Sequence, residues 1–176
     1  MLLVVALAQS VLLGSYHVSL TTAADPSIAV VAAGRTVWQG VPKAYKPWKL
    51  AGGDIDGNGK PDFAVGVYKT THLYPHAHNT VFFYEIRDGE VVPKWRGSSL
   101  GKPLVDFAYA ELERGPRLVA LQTHLDGRFG LTVWRWNRFG FRLENEQGNW
   151  HSATLMRIEG HVAEMVVDGK PFRAKL

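Results

Sequence analysis

The residues best suited to chemistry lie together in Asp54-Ile55-Asp56-Gly57-Asn58-Gly59-Lys60-Pro61-Asp62. Oxygen-bearing side chains occupy relative positions 1, 3, 5 and 9 of this stretch. Gly57 and Gly59 let the chain curl so that these oxygens converge. A hard cation such as Ca2+ takes about six to eight oxygen ligands in a flexible cage. Asp54, Asp56, Asn58 and Asp62, with a backbone carbonyl at Lys60 and a water, supply such a set. Three acids packed this closely repel one another unless a cation lies between them. The stretch begins like an EF-hand loop but does not end like one. Its twelfth position is Val65, where that loop needs a bidentate Glu, and Phe63-Ala64-Val65-Gly66-Val67-Tyr68 leads into a strand. The alternative is a metal-free turn held by local Asx hydrogen bonds.

Other constellations are less specific. His72, His76 and His78 fall within seven residues, and neutral imidazoles suit zinc or copper. Pro75 marks the segment as a loop, so surface histidines are the plainer reading, with ligand recognition as another. Gly-x-Ser-x-Gly, a P-loop and Gly-x-Gly-x-x-Gly are all missing from the sequence, so no nucleophile or phosphate-cradling motif stands out. The acids Asp106, Glu111 and Glu113 form no recognisable glycosidase pair without geometry. The six tryptophans suit a core better than a sugar platform, because each buries so much area.

The elements that must position the acidic loop are strands. Val81-Phe82-Phe83-Tyr84-Glu85-Ile86 and Val91-Val92-Pro93-Lys94-Trp95 flank Asp88-Gly89, a hairpin signal. The same unit recurs at 28–38 through Ala33-Gly34, at 131–143 through Asn137–Gly140, and at 162–172 through Asp168-Gly169. Gly40, Gly97 and Gly148 follow the first three hairpins roughly fifty residues apart, a spacing suited to propeller blades. Apolar residues on both faces at 81–84 and 131–136 suggest sheets sandwiched between neighbours. No amphipathic helix of a dozen residues follows position 25.

Composition narrows the classes. The 176 residues are 46% apolar and 20% charged, ordinary for a globular chain. The lack of cysteine excludes disulfides, thiol catalysis and Cys-based zinc sites. The net charge of +4 comes from basic residues scattered without a long run, which argues against nucleic-acid binding. Residues 2–13 are almost wholly apolar. That run is too short for a comfortable membrane span, so no span is expected. It fits the apolar region of an export signal with a junction at Thr22-Ala23-Ala24, although no basic residue follows Met1. The alternative is a pair of buried strands belonging to the fold.

The stretch Asp54–Asp62 followed by Phe63-Ala64-Val65 resembles the calcium loop and ensuing strand of FG-GAP (VCBS-like) repeats, the blades of integrin-α-type β-propellers. The likeness is strongest over about residues 50–70 and weaker over 27–176. It implies a calcium-stabilised, extracellular β-propeller module that works in binding or adhesion, with Asp54, Asp56, Asn58, Asp62 and the Lys60 carbonyl holding Ca2+. The second unit departs from the pattern. Its loop after Ala110 is shorter, Arg117 stands where Asp62 stood, and Arg114 and Arg117 are expected to neutralise Glu111 and Glu113. Arg157-Ile158-Glu159-Gly160 in the third unit is not a site either.

The expectations are therefore these. Residues 1–24 form an export signal or apolar leader, and 25–176 form an all-β, propeller-like array of about three four-stranded blades, a partial propeller or fragment. Three blades leave two open ends, so self-association through those ends is expected. The function is that of a secreted, Ca2+-binding module for binding or adhesion to a protein or glycan, without catalysis. The rival is an accessory or catalytic part of a polysaccharide- or cell-wall-active enzyme.

Overall fold

Tight turns reverse this chain, and four of them follow directly from the residues that form them. In the computed structural model, which describes residues 8–96 and 100–176, Ala33-Gly34, Asp88-Gly89 and Asp168-Gly169 each place two successive residues at positive φ. Those values are 48° and 75°, 52° and 87°, and 48° and 76°. This is the type I′ backbone, whose twist matches that of the strands it joins. Arg138, at φ 59°, opens the fourth turn after Asn137.

The strands fall into four antiparallel sheets. The first holds β1 (Ala8–Leu13), β2 (Tyr16–Thr21), β3 (Ile28–Ala32) and β4 (Arg35–Gly40) in chain order. The second holds β5 (Lys49–Gly53), β6 (Asp62–Lys69), β7 (His78–Arg87) and β8 (Glu90–Trp95). The third holds β9 (Leu104–Leu112), β10 (Gly115–Thr123), β11 (Phe129–Asn137) and β12 (Gly140–Trp150). The fourth has three strands, β13 (Ala153–Glu159), β14 (Val162–Val167) and β15 (Lys170–Lys175). Among the described residues the only helical element is a 3-10 turn at Lys43–Tyr45, and no helix is long and apolar enough to cross a membrane.

The chain divides into two compact units. One comprises Met1–Asp54 and Gly59–Ser98, the other Ile55–Asn58 and Ser99–Leu176. In the first unit, Val18, Leu20, Ile28 and Val30 of the first sheet pack with Phe63, Val65, Val67, Phe82 and Tyr84 of the second. Each such buried side chain contributes about 1.5–3 kcal/mol. In the second unit, Val119, Leu121 and Leu131 pack with Leu155, Ala163, Met165 and Ala174. The central strands β6 and β7 are buried on both faces, since Ala64, Val81 and Phe83 are as inaccessible as the core residues beside them. Strand β11 loses that property along its length: Leu131 to Val133 are buried, Trp134 is half-buried and Arg135 is exposed.

The all-β, blade-like array is as expected, with two refinements. The blade-like sheets number four, three of them four-stranded. The difference arises because residues 8–21 pair as β1 and β2 and complete the first sheet, with Val18 opposite Val30 and Leu20 opposite Ile28. The six tryptophans, Trp38, Trp48, Trp95, Trp134, Trp136 and Trp150, are all half-buried, and Trp38 and Trp150 pack against the two cores. The recurrent glycines have a steric use tied to two of them. A β-carbon at Gly40 would lie 2.2 Å from the Trp38 ring, and one at Gly148 would lie 2.3 Å from the Trp150 ring. Gly97 lies outside the described residues.

Candidate metal centre

The acidic loop is the connection of a hairpin. Gly53 ends β5 and pairs with Asp62, which begins β6, so residues 54–61 are suspended between two paired strands. Within the loop, Gly57 and Gly59 take φ values of 70° and 80°, a left-handed backbone that a side chain resists. The resulting curl lets the Gly59 N–H donate to Asp54 Oδ2 at 2.7 Å, while Asn58 Nδ2 donates to Asp56 Oδ2 at 3.3 Å. Ile55 is 1% exposed, a buried apolar side chain between two half-buried acids. Pro61 fixes its far end by accepting from the Ile86 N–H of β7 at 2.8 Å.

This geometry gathers carboxylates. One oxygen each from Asp54, Asp56 and Asp62 lies within 4.8 Å of the others. Two oxygens bound to one Ca2+ at about 2.3–2.6 Å stand at most about 5 Å apart, so the three fit a single ion of that size. Asp54 and Asp56 are half-buried and Asp62 is fully buried. The arrangement provides a partly open rim over one inaccessible carboxylate. Asn58 is exposed and Lys60 half-buried. Among the described residues this is the only group of three acidic or imidazole side chains close enough to hold a metal.

Asp62 has a second commitment that spacing does not reveal. The Lys94 ammonium of β8 donates to its Oδ1 at 3.0 Å and its Oδ2 at 2.9 Å. It also donates to Glu85 Oε2 at 3.0 Å, and the other oxygen of Glu85 accepts from Arg87 Nε at 2.7 Å. Glu85 is 1% exposed. Charged groups this deep are tolerated only when paired. The available signal is Glu85 itself, a lone acid directly after the apolar run Val81-Phe82-Phe83-Tyr84, which requires a cation beside it.

The third sheet carries no such loop at the corresponding connection. A two-residue turn, Glu113-Arg114, joins β9 to β10, since Leu112 and Gly115 are already paired. Arg117 does not neutralise Glu111 or Glu113, as its position suggested. Its Nε donates to Glu144 Oε2 at 2.5 Å and its Nη1 to the carbonyls of Arg114, Gly115 and Pro116. The turn is too tight to fold those glutamates back over Arg117, and Glu113 instead lies 3.6 Å from His161 Nε2. The histidines near position 75 do not converge. His72 and His76 are exposed, whereas His78 is buried, with Nδ1 against the His76 carbonyl at 3.0 Å and its ring 4.9 Å from that of Tyr74.

A family model of the FG-GAP repeat matches residues 47–71. That range covers β5, the acidic loop and β6. No curated protein and no solved structure matches the chain.

Proposed function

We propose that the chain is a Ca2+-binding, propeller-type repeat module whose role is recognition of a protein or glycan, with Asp54, Asp56, Asn58, Asp62 and the Lys60 carbonyl as ligands of the ion. The observation that carries this reading is the convergence of three carboxylates in the one loop that the FG-GAP model covers. Bound Ca2+ supplies the charge that lets those carboxylates lie together. The loop's own residues orient the oxygens, and β5 and β6 hold the two ends of the loop at fixed separation. Sites of this open kind in extracellular modules have dissociation constants of about 10⁻⁴–10⁻³ M. We therefore place the working protein outside the cytoplasm or in the cell envelope. Calorimetric titration with Ca2+ tests the reading: one site in that range is expected, and no saturable binding overturns it.

One observation favours the glycan-directed reading, including an accessory role beside a polysaccharide-active enzyme. Lys46, Trp48, Tyr68 and Asn79 line a shallow groove of about 390 Å3. The Lys46 ammonium lies 5.2 Å from the centre of the Tyr68 ring. Aromatic faces beside an amide and an ammonium match the alternating apolar and hydroxyl surfaces of a sugar. Retention on immobilised polysaccharide that Tyr68→Ala abolishes supports it; equal retention of both proteins contradicts it.

A further inference from the structure

The second and third sheets carry the same three-charge device with its signs reversed. In the second, β7 pairs Phe83 with Trp95 and Tyr84 with Pro93, so Lys94 is the extra residue of a bulge in β8. In the third, β11 pairs Val133 with Asn145 and Trp134 with Leu143, so Glu144 is the extra residue of a bulge in β12. Asp62 faces Glu85 one step beyond the Phe63–Tyr84 pair. Arg117 and Arg135 stand one step beyond the Leu118–Trp134 pair. The bulged Lys94 joins the two acids, and the bulged Glu144 joins the two arginines, accepting from Arg117 and lying 3.0 Å from Arg135 Nε. Bulges re-aim a side chain and strengthen local twist. In both sheets the re-aimed residue is the counter-ion of two like charges that stand side by side on the two central strands.

We infer that Lys94 is a cation built into the second sheet that holds Asp62 in place without metal and sets the affinity of the loop for a divalent ion. The inference rests on the calcium reading above. Because the third sheet builds the device with no metal loop beside it, the device serves the bulge on its own account, and Asp62 belongs to it first. Asp62 is fully buried and the Lys94 side chain is 9% exposed, so solvent screens the pair little. An ion bound by Asp54, Asp56 and Asp62 meets the Lys94 charge through that shared carboxylate. Like charges at such range repel strongly in a partly buried site. Lys94 thereby weakens Ca2+ binding and keeps the loop's root ordered when the ion is lost.

The test is Ca2+ affinity by calorimetry together with the melting temperature in EDTA, for wild type, Lys94→Gln and Lys94→Arg. For Lys94→Gln the affinity is expected to rise roughly tenfold or more, while the melt in EDTA falls and the gain on adding Ca2+ grows. Lys94→Arg keeps the charge in a different shape and is expected to gain far less affinity than Lys94→Gln. If Lys94→Gln does not fold in EDTA, the double variant Glu85→Gln with Lys94→Gln is compared with Glu85→Gln alone, two proteins that differ only in the Lys94 charge, and the same rise in affinity is expected. Equal affinity with and without the Lys94 charge overturns the inference and leaves the calcium reading intact. No binding in any of the proteins overturns both.

Discussion

Asp54, Asp56 and Asp62 look equivalent in the sequence, and the structure separates them. Asp54 and Asp56 are half-buried and bond within their own loop, whereas Asp62 is fully buried and paired with Lys94. Asp62→Asn is therefore expected to destabilise the fold in EDTA as well as in Ca2+, by on the order of 3 kcal/mol, because it breaks a buried pair. Asp56→Asn is expected to lower only the stability gained from Ca2+; thermal melts in the two buffers separate the cases, and equal losses for both variants in EDTA contradict the distinction. The convergence of the acids was legible because side chain and spacing alone specify it. The role of Lys94 was not, since it depends on the register of β7 and β8 and on the bulge between them. Tyr84 gives a residue-scale test of burial. Its hydroxyl titrates above the usual 10.0 because burial disfavours the phenolate, an effect that the nearby Arg96 partly offsets. The unfolded chain thus loses this proton first as pH rises, so the contribution of Tyr84 to stability is full below about pH 10 and is lost above it. Tyr84→Phe is expected to flatten part of the alkaline decline in stability measured by denaturant unfolding, and an unchanged decline contradicts it.

The hairpins were the most readable elements. A turn with two residues at positive φ leaves a local mark, and Asp-Gly or Ala-Gly between apolar runs is enough to place it. The segment 8–21 was harder to read: Gly14-Ser15 marks its turn, with Gly14 at φ 60°, but residues 2–13 form an apolar run. A short, nearly continuous apolar run has the same pattern whether it is a buried strand or an export signal, and only its pairing partners distinguish the two. Those partners are in β3, 8–12 residues further on, where Val18 meets Val30 and Leu20 meets Ile28. Both Val18 and Leu20 are fully inaccessible. A chain begun at Asp25 lacks β1 and β2 and forgoes about 3–6 kcal/mol from these two side chains alone. Its thermal transition, followed by circular dichroism, is expected to lose cooperativity or to fall by roughly 10 °C or more. A melt matching that of the full chain contradicts the contribution of the N-terminal strands.

At the scale of the whole molecule, repetition explains most of the design. Each four-stranded sheet offers apolar surface to a neighbour, and each compact unit buries one such pair of faces. The three-stranded sheet leaves Met156, Val166 and Phe172 at 62%, 36% and 38% exposure around a common groove with Arg157, Glu164 and Arg173. Apolar residues gathered in this way favour association. Light scattering at micromolar concentration is expected to report oligomers, and a single sharp monomer contradicts that expectation.

The central claim is that the loop from Asp54 to Asp62 binds Ca2+ and that the fold gains stability from it. Thermal unfolding of the wild-type chain and of Asp56→Ala, each in EDTA and in excess Ca2+, tests it most directly. At a hundredfold excess over the dissociation constant, ligand linkage gives about 2.7 kcal/mol. The account expects the wild-type melting temperature to rise by several degrees, about 2–4 °C for each kcal/mol in a chain of this size, and the rise to be mostly lost in Asp56→Ala. Melting temperatures that do not move with Ca2+ or EDTA, in wild type and variant alike, contradict it.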